Sequence, residues 1–307
     1  VRAYLILALK AAVTLGLLGW LATEVDLREV RARLGAIGIP GAVAATLVLA
    51  TLIPATAARW GVVQHAIAAP LALATLLRLS LVGLFFNQVL PAPVGGDAMR
   101  IWGANRAGLP LGKATSGVLL ERLWGLVTLV LFAAPVWPWL LPEAAPRLGL
   151  AAASSFAAVV GLAGVLVLLR LAPTTIARRL PGPLRAILDD ARATAWPPGR
   201  VLAVILWSLA GHVASMAAMA TLAAAMGLAI APLAIVVVVP IALLAAVVPA
   251  SFAGWGVREG ALVTALAGFG VPAADALSLS VAFGLVVLML ALPGAVLWMT
   301  GARRDGG

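Results

Sequence analysis

The chain has 307 residues, of which 64% are apolar and 10% charged, and its mean hydropathy is +1.12. No stretch between its apolar runs is long enough to bury an aqueous core, which excludes a conventional soluble catalytic domain. The absence of cysteine excludes disulfides, thiolate-bound zinc and thiol chemistry, and the net charge of +10 falls where a membrane topology signal belongs, so nucleic acid is excluded as a partner.

In chain order, the apolar run at 4–22 carries Arg2 and Lys10 and is followed by the charged stretch Glu24 to Arg33. No small-residue cleavage pattern follows it, so it reads as a helix rather than a signal peptide. The runs at 40–58, 115–133, 149–169, 201–222, 230–248 and 276–299 are long enough, or nearly so, to cross the hydrocarbon as helices. The run at 73–90 is of similar length but holds Arg78 and Asn87, and the run at 260–270 is a half-helix too short to span. The expected fold is all-α and polytopic: a single membrane domain over 1–307, with about seven to eight transmembrane helices plus one or two re-entrant or broken segments.

Six of the 21 basic residues (Arg170, Arg178, Arg179, Arg185, Arg192 and Arg200) lie between two hydrophobic runs. They mark 170–200 as a cytoplasmic loop that can also contact anionic lipid heads. Two orientations fit: with the N-terminus cytoplasmic and 73–90 entering and leaving on one side, Arg59, Arg78, Arg100, Arg106 and Lys113 fall on the same side as that loop. With 73–90 crossing fully and the N-terminus outside, the loop stays inside, Arg59 and Arg78 fall outside, and Arg28, Arg31 and Arg33 come in; the first is preferred. His212, in an apolar helix beside Gly211 and Ser215, reads as a hydrogen-bonded core residue, and no metal or other cofactor is expected.

Two stretches break apolar runs with proline and glycine and end on arginine: Pro91 to Arg100, and Pro249 to Arg258, which Glu259 follows. Aligning Pro91 with Pro249 also aligns Gly96 with Gly254 and Arg100 with Arg258, at an offset of 158 residues. This suggests an internal repeat, with halves at about 40–133 and 201–299, and transporters bind substrate where such paired helices are broken. Charges at these breaks are expensive and therefore functional by default. The candidates for binding an anionic ligand are Asn87, Gly95, Gly96, Asp97, Arg100, Glu121, Arg122, Gly254, Arg258 and Glu259. Glu121 and Arg122 are neighbours in an apolar helix and point about 100° apart, so at least one must pair with another element. Arg258 and Glu259 repeat the arrangement in reverse order. Arginine suits phosphate through its planar fork, and the N–H groups of Val94-Gly-Gly-Asp97 offer a backbone nest if a helix begins near Ala98. Trp102, Trp124 and Trp255 lie near these charges; they read first as interface anchors, as do Trp137 and Trp139.

These residues resemble the lysylphosphatidylglycerol synthase transmembrane-region family of flippase-like membrane proteins. The family pattern is Asn before Leu-Pro, then Gly-Gly-Asp and Arg, matched by Asn87, Leu90-Pro91, Gly95-Gly96-Asp97 and Arg100. A Glu-Arg pair in the next helix is matched by Glu121-Arg122. A late Pro-x4-Gly-x-Gly-x-Arg-Glu is matched by Pro249, Gly254, Gly256, Arg258 and Glu259. The resemblance implies re-entrant helices, a cavity that admits a lipid head group, and the bacterial inner membrane. The sequence holds no counterpart of the cytosolic aminoacyl-transferase domain of full-length synthases, so the expectation is a stand-alone member.

The function expected is a lipid translocase, not an enzyme, moving an anionic or aminoacylated phospholipid or a polyprenoid or hopanoid-type lipid. Arg100 and Arg258 would hold the phosphate while Asp97, Glu121 and Glu259 balance the empty site. No Walker motif is present, so transport is passive or ion-coupled, with Glu121 or Glu259 as proton carrier. Two other readings compete: an integral membrane enzyme on a polyprenyl-phosphate or hopanoid lipid, and a non-transporting partner of a lipid synthase that docks through the basic loop. For the enzyme the one acidic pair is Asp189-Asp190, which reads as solvated. The expected partners are membrane lipids, and a homo-oligomer is compatible with the sequence.

Overall fold

The computed structural model describes residues 25–90, 95–141, 146–171, 180–247 and 255–304, together with residues 12, 14–16, 19, 20 and 23. Pro91, Pro249 and Gly254 lie outside the described residues. Within them the chain forms twelve α-helices and no strand, as expected of a backbone that must satisfy its own hydrogen bonds in lipid. They are α1 (Leu27–Ala36), α2 (Gly38–Ala50), α3 (Leu52–Ala66), α4 (Leu73–Val89), α5 (Gly95–Arg106), α6 (Leu111–Val136), α7 (Arg147–Leu171), α8 (Gly182–Thr194), α9 (Pro198–Ala225), α10 (Pro232–Val247), α11 (Val257–Ala267) and α12 (Ala273–Arg304).

Five stretches are long and apolar enough to cross a membrane: α2 with α3, α6 with the short 3-10 turn that follows it, α7, α9, and α12 up to Thr300. Side-chain pairs fix their directions. Gly41 faces Ala225 and Gly211 faces Leu52, so α2–α3 runs antiparallel to α9, at a distance only small residues permit. Lys113 Nζ pairs with Asp190 Oδ1 at 2.6 Å, placing the start of α6 beside α8. Arg192 Nε donates to the Leu169 carbonyl at 2.9 Å, bringing the end of α7 to the same place. Arg33 Nε meets Asp275 Oδ1 at 2.7 Å, tying α1 to the start of α12 at the other end of the bundle. The face that carries α8 is called here the near face, and the face that carries α1 the far face. Going along the chain, α2–α3 runs far to near, α6 near to far, α7 far to near, α9 near to far and α12 far to near.

Between α3 and α6, both ends of which lie on the near face, sits a helical hairpin. Gly96 N donates to Asn87 Oδ1 at 2.9 Å, Gly83 lies against Arg100 and Gly103 against Leu79, so α4 and α5 are antiparallel. At 12 residues α5 reaches about 18 Å, well short of the ~30 Å hydrocarbon. The pair therefore enters and leaves on the near face. Glycine is required here: a Cβ on Gly96 would collide with the Gly83 carbonyl, which cannot turn away.

A second hairpin, α10 with α11, fills the matching place between α9 and α12, both of which meet it on the far face. This revises the sequence reading of 230–248 as a nearly full crossing. It folds as a 16-residue helix packed against the 11-residue α11, and the alternation of α9 and α12 leaves it no crossing to make. Helix α7 packs only at the edge, against α6 and α8, and turns Phe156, Val159 and Leu168 outward.

Helix pairings recur in the two halves. α4 packs on α12 and α10 on α6; α6 packs on α9 and α12 on α2; α4–α5 and α5–α6 have their counterparts in α10–α11 and α11–α12. One apolar core joins α3 to α6 around Trp60, Leu76 and Val118, and a larger one joins α2 with α9 to α12 around Leu49, Leu222, Val238, Leu262 and Leu279.

Candidate functional site

Two charged clusters lie inside the bundle. The first is built on α3, α5 and α6. Glu121, ten residues or roughly 15 Å into α6, stands near mid-depth and is almost wholly buried. Its two carboxylate oxygens go to different helices. Oε1 accepts from Arg59 Nε at 2.7 Å and also pairs with Arg59 Nη2, and Oε2 accepts from Arg100 Nη1 at 2.8 Å. Arg122 points away from Glu121, as helical geometry requires, and pairs with Asp97. Asp97 in turn lies 3.7 Å from Arg100. The Arg100 guanidinium rests over the Trp60 ring at 4.2 Å, a cation–π contact that costs no proton donor.

Arg100 is the anomaly. Its side chain is 9% exposed, yet Nε and Nη2 have no hydrogen-bond partner among the described residues. These two N–H groups share one edge of the guanidinium. It is the same edge that Arg59 directs at Glu121. Among the described residues of the cluster, three guanidiniums face two carboxylates, an excess of one positive charge.

Asn87 holds the hairpin through its bond to Gly96 N. That bond also revises the expected backbone nest: α5 begins at Gly95 rather than near Ala98, and the Gly96 N–H is already engaged. Gly95 starts the helix against Leu90.

The second cluster is built on α11 and α12 and differs in kind. Gly256, at φ +86°, turns the chain into α11. Glu259 then folds back so that Oε2 accepts from Gly256 N at 2.6 Å, satisfying a helix-start donor. Its other oxygen accepts from Arg258 Nε at 3.1 Å and from Ser280 Oγ at 3.1 Å. Arg258 Nη2 donates to the Ser280 carbonyl at 3.2 Å, and the guanidinium sits 4.8 Å from the Trp255 ring centre. Arg258 and Glu259 thus bond each other, unlike Glu121 and Arg122, because a glutamate in the first helical turn curls toward its own helix start. This cluster holds one cation and one anion.

Arg100 and Arg258 accordingly belong to separate clusters with no residue in common. Sequence reasoning missed Arg59, Trp60 and Ser280 as site residues. Arg59 has a visible signal, an arginine in the middle of an apolar helix, although the sequence alone gives it no partner and leaves it as a topology marker. His212 Nε2 lies 3.2 Å from the Gly125 carbonyl, half-buried against α6. Asp190 is buried against Lys113, and Asp189 pairs with Arg192 at 3.0 Å, so the two acids face different partners. No group of three metal-ligating side chains occurs among the described residues.

Five long apolar helices, two one-sided hairpins and charges gathered at mid-depth define a helical multi-pass membrane protein. The chain belongs to the family described as the lysylphosphatidylglycerol synthase transmembrane region, and the match spans residues 7–294. No curated protein matches the chain.

Proposed function

We propose that the protein is a lipid translocase whose first cluster (Arg59, Asp97, Arg100, Glu121 and Arg122) receives the phosphate of an anionic lipid while the tails stay in the membrane. The observation that carries this reading is Arg100, with a buried, unpartnered guanidinium edge in a cluster with one surplus cation. A cluster kept only to tie helices together has no use for either feature, because unpaired buried donors cost stability. A phosphodiester supplies both what is missing in hydrogen bonds, two oxygens along the Nε–Nη2 edge, and the missing negative charge. The membrane-region family favours lipid over other anions. The class of head group is an anionic or aminoacylated phospholipid, or a polyprenoid or hopanoid-type lipid phosphate.

The same reading takes residues 38–136 and 198–304 as an inverted repeat. Adding 158 to the starts of α2, α4, α5 and α6 gives 196, 231, 253 and 269, against 198, 232, 257 and 273 for α9, α10, α11 and α12. The first half begins on the far face and the second on the near face. Broken helices that reach mid-depth from opposite faces suit a site exposed to each side in turn. The near face carries Arg78, Arg106, Lys113, Arg185, Arg192 and Arg200, which makes it cytoplasmic under the positive-inside rule, in a bacterial inner membrane. In this arrangement the first cluster binds the ligand and the neutral second cluster, whose groups satisfy each other, fixes the opposite hairpin.

Proteoliposomes carrying head-group-labelled lipid test the function: quenching of the inner-leaflet label by an impermeant reductant should be faster with protein for anionic than for zwitterionic lipid. Equal rates with and without protein for every lipid class would remove the translocase reading.

A further inference from the structure

The hairpin has a second basic site on its other side. On α5, Asp97, Arg100 and Ala104 face the bundle, whereas Met99, Trp102, Gly103 and Arg106 recur at helical spacing on the face turned away from Glu121. With Thr75 and Arg78 of α4 and Trp298 of α12, they enclose a cavity of about 260 Å³ at the near face. Trp298 joins α12 to the hairpin: its ring lies 5.2 Å from Trp102 and 5.3 Å edge-on to Phe86. The Arg106 guanidinium stacks over Trp102 at 5.1 Å. Arg78 is exposed although it sits five residues, about 7.5 Å, inside an otherwise apolar helix.

We propose that this cavity is a docking site for the phosphate of an anionic glycerophospholipid of the near-face leaflet, separate from the Arg100 cluster. Two arginines on adjacent antiparallel helices supply the charge, at a depth from which long side chains reach the head-group layer. Trp102, 43% exposed, and Trp298 stand where indoles favour the boundary between head groups and tails. The cavity is too small for a whole lipid and large enough for its phosphate, so the tails lie along the outer surface of α4 and α12. An occupant bridges α4, α5 and α12, and so ties the first-half hairpin that carries Arg100 to the second half. The proposal goes beyond translocation and does not depend on it.

The test uses the detergent-solubilised full chain titrated with short-chain phosphatidylglycerol, short-chain phosphatidylcholine or inorganic phosphate, with bound lipid counted by native mass spectrometry. Titration of Arg100→Ala isolates this cavity from the other cluster. In that background the anionic lipid should bind, phosphatidylcholine and inorganic phosphate should bind at least tenfold more weakly, and Arg78→Gln with Arg106→Gln should weaken the anionic lipid at least tenfold. The double Arg→Lys variant should retain most of the binding and reports that the fold is intact. Unchanged binding in the glutamine variant, or equal binding of phosphatidylcholine or free phosphate, overturns the proposal. Loss of one bound lipid from wild type to Arg100→Ala speaks to the first cluster, so the two assignments fail independently.

Discussion

Glu121 is one carboxylate between two arginines from different helices, Arg59 and Arg100. Its neutral isostere Gln keeps the shape but leaves Arg59 and Arg100, with the half-buried Arg122, facing Asp97 alone. Removing one partner of a buried ion pair costs about 3–5 kcal/mol, because the other charge is stranded. Glu121→Gln should therefore lower stability by about that amount in reversible unfolding of the purified protein. A loss below about 1 kcal/mol would mean that water already screens the cluster. In the second cluster Ser280 only adds hydrogen bonds to a pair that is already neutral, so Ser280→Ala should cost about 0.5–1.5 kcal/mol.

At the scale of elements, the α4–α5 hairpin depends on backbone approach at Gly83 and Gly96. Gly96→Ala drives a methyl group into the Gly83 carbonyl and should destabilise by about 1–3 kcal/mol, as overpacking does. Gly161→Ala on the lipid-facing side of α7 meets nothing within 4 Å and should be neutral or slightly stabilising. Thermal unfolding of the two variants side by side checks this; equal melting temperatures would refute the tight hairpin. Much at this scale was legible in the sequence. The proline and glycine breaks and the divergence of Glu121 from Arg122 follow from periodicity and steric rules, whereas the return of 73–90 to its own side rests on the placement of basic residues, which also allows a full crossing. The run at 230–248 was not legible as half of a hairpin, because an apolar 16-residue helix has the same composition whether it stops inside the membrane or nearly crosses it. Arg59 was not legible as a partner of Glu121, because sequence separation of 62 residues carries no distance. The bond between Arg258 and Glu259 depends on where α11 starts, which the glycine-rich stretch before it leaves undetermined.

At the scale of the whole molecule, the two halves pair in the same pattern but begin on opposite faces. The chain has no cysteine, so single cysteines report sidedness without background. Ala107, just past the first hairpin, and Ala267, at the end of the second, are both exposed. Ala107→Cys should react with an impermeant maleimide from one side of oriented membranes and Ala267→Cys from the other. Reaction of both from one side would rule out the inverted arrangement.

The same scale separates the roles of the two arginines. The first cluster has a surplus cation and an open guanidinium edge, and the second is neutral and internally satisfied. A charge-assisted hydrogen bond is worth about 1.5–3 kcal/mol, roughly 10- to 100-fold in an equilibrium or rate. The decisive measurement is the translocation rate of an anionic lipid by wild type, Arg100→Ala and Arg258→Ala in proteoliposomes, each normalised to folded protein. Arg100→Ala should lose at least tenfold while keeping its selectivity-free background rate, and folded Arg258→Ala should stay within a few-fold of wild type. Wild-type translocation by Arg100→Ala would contradict the assignment of the phosphate to this cluster.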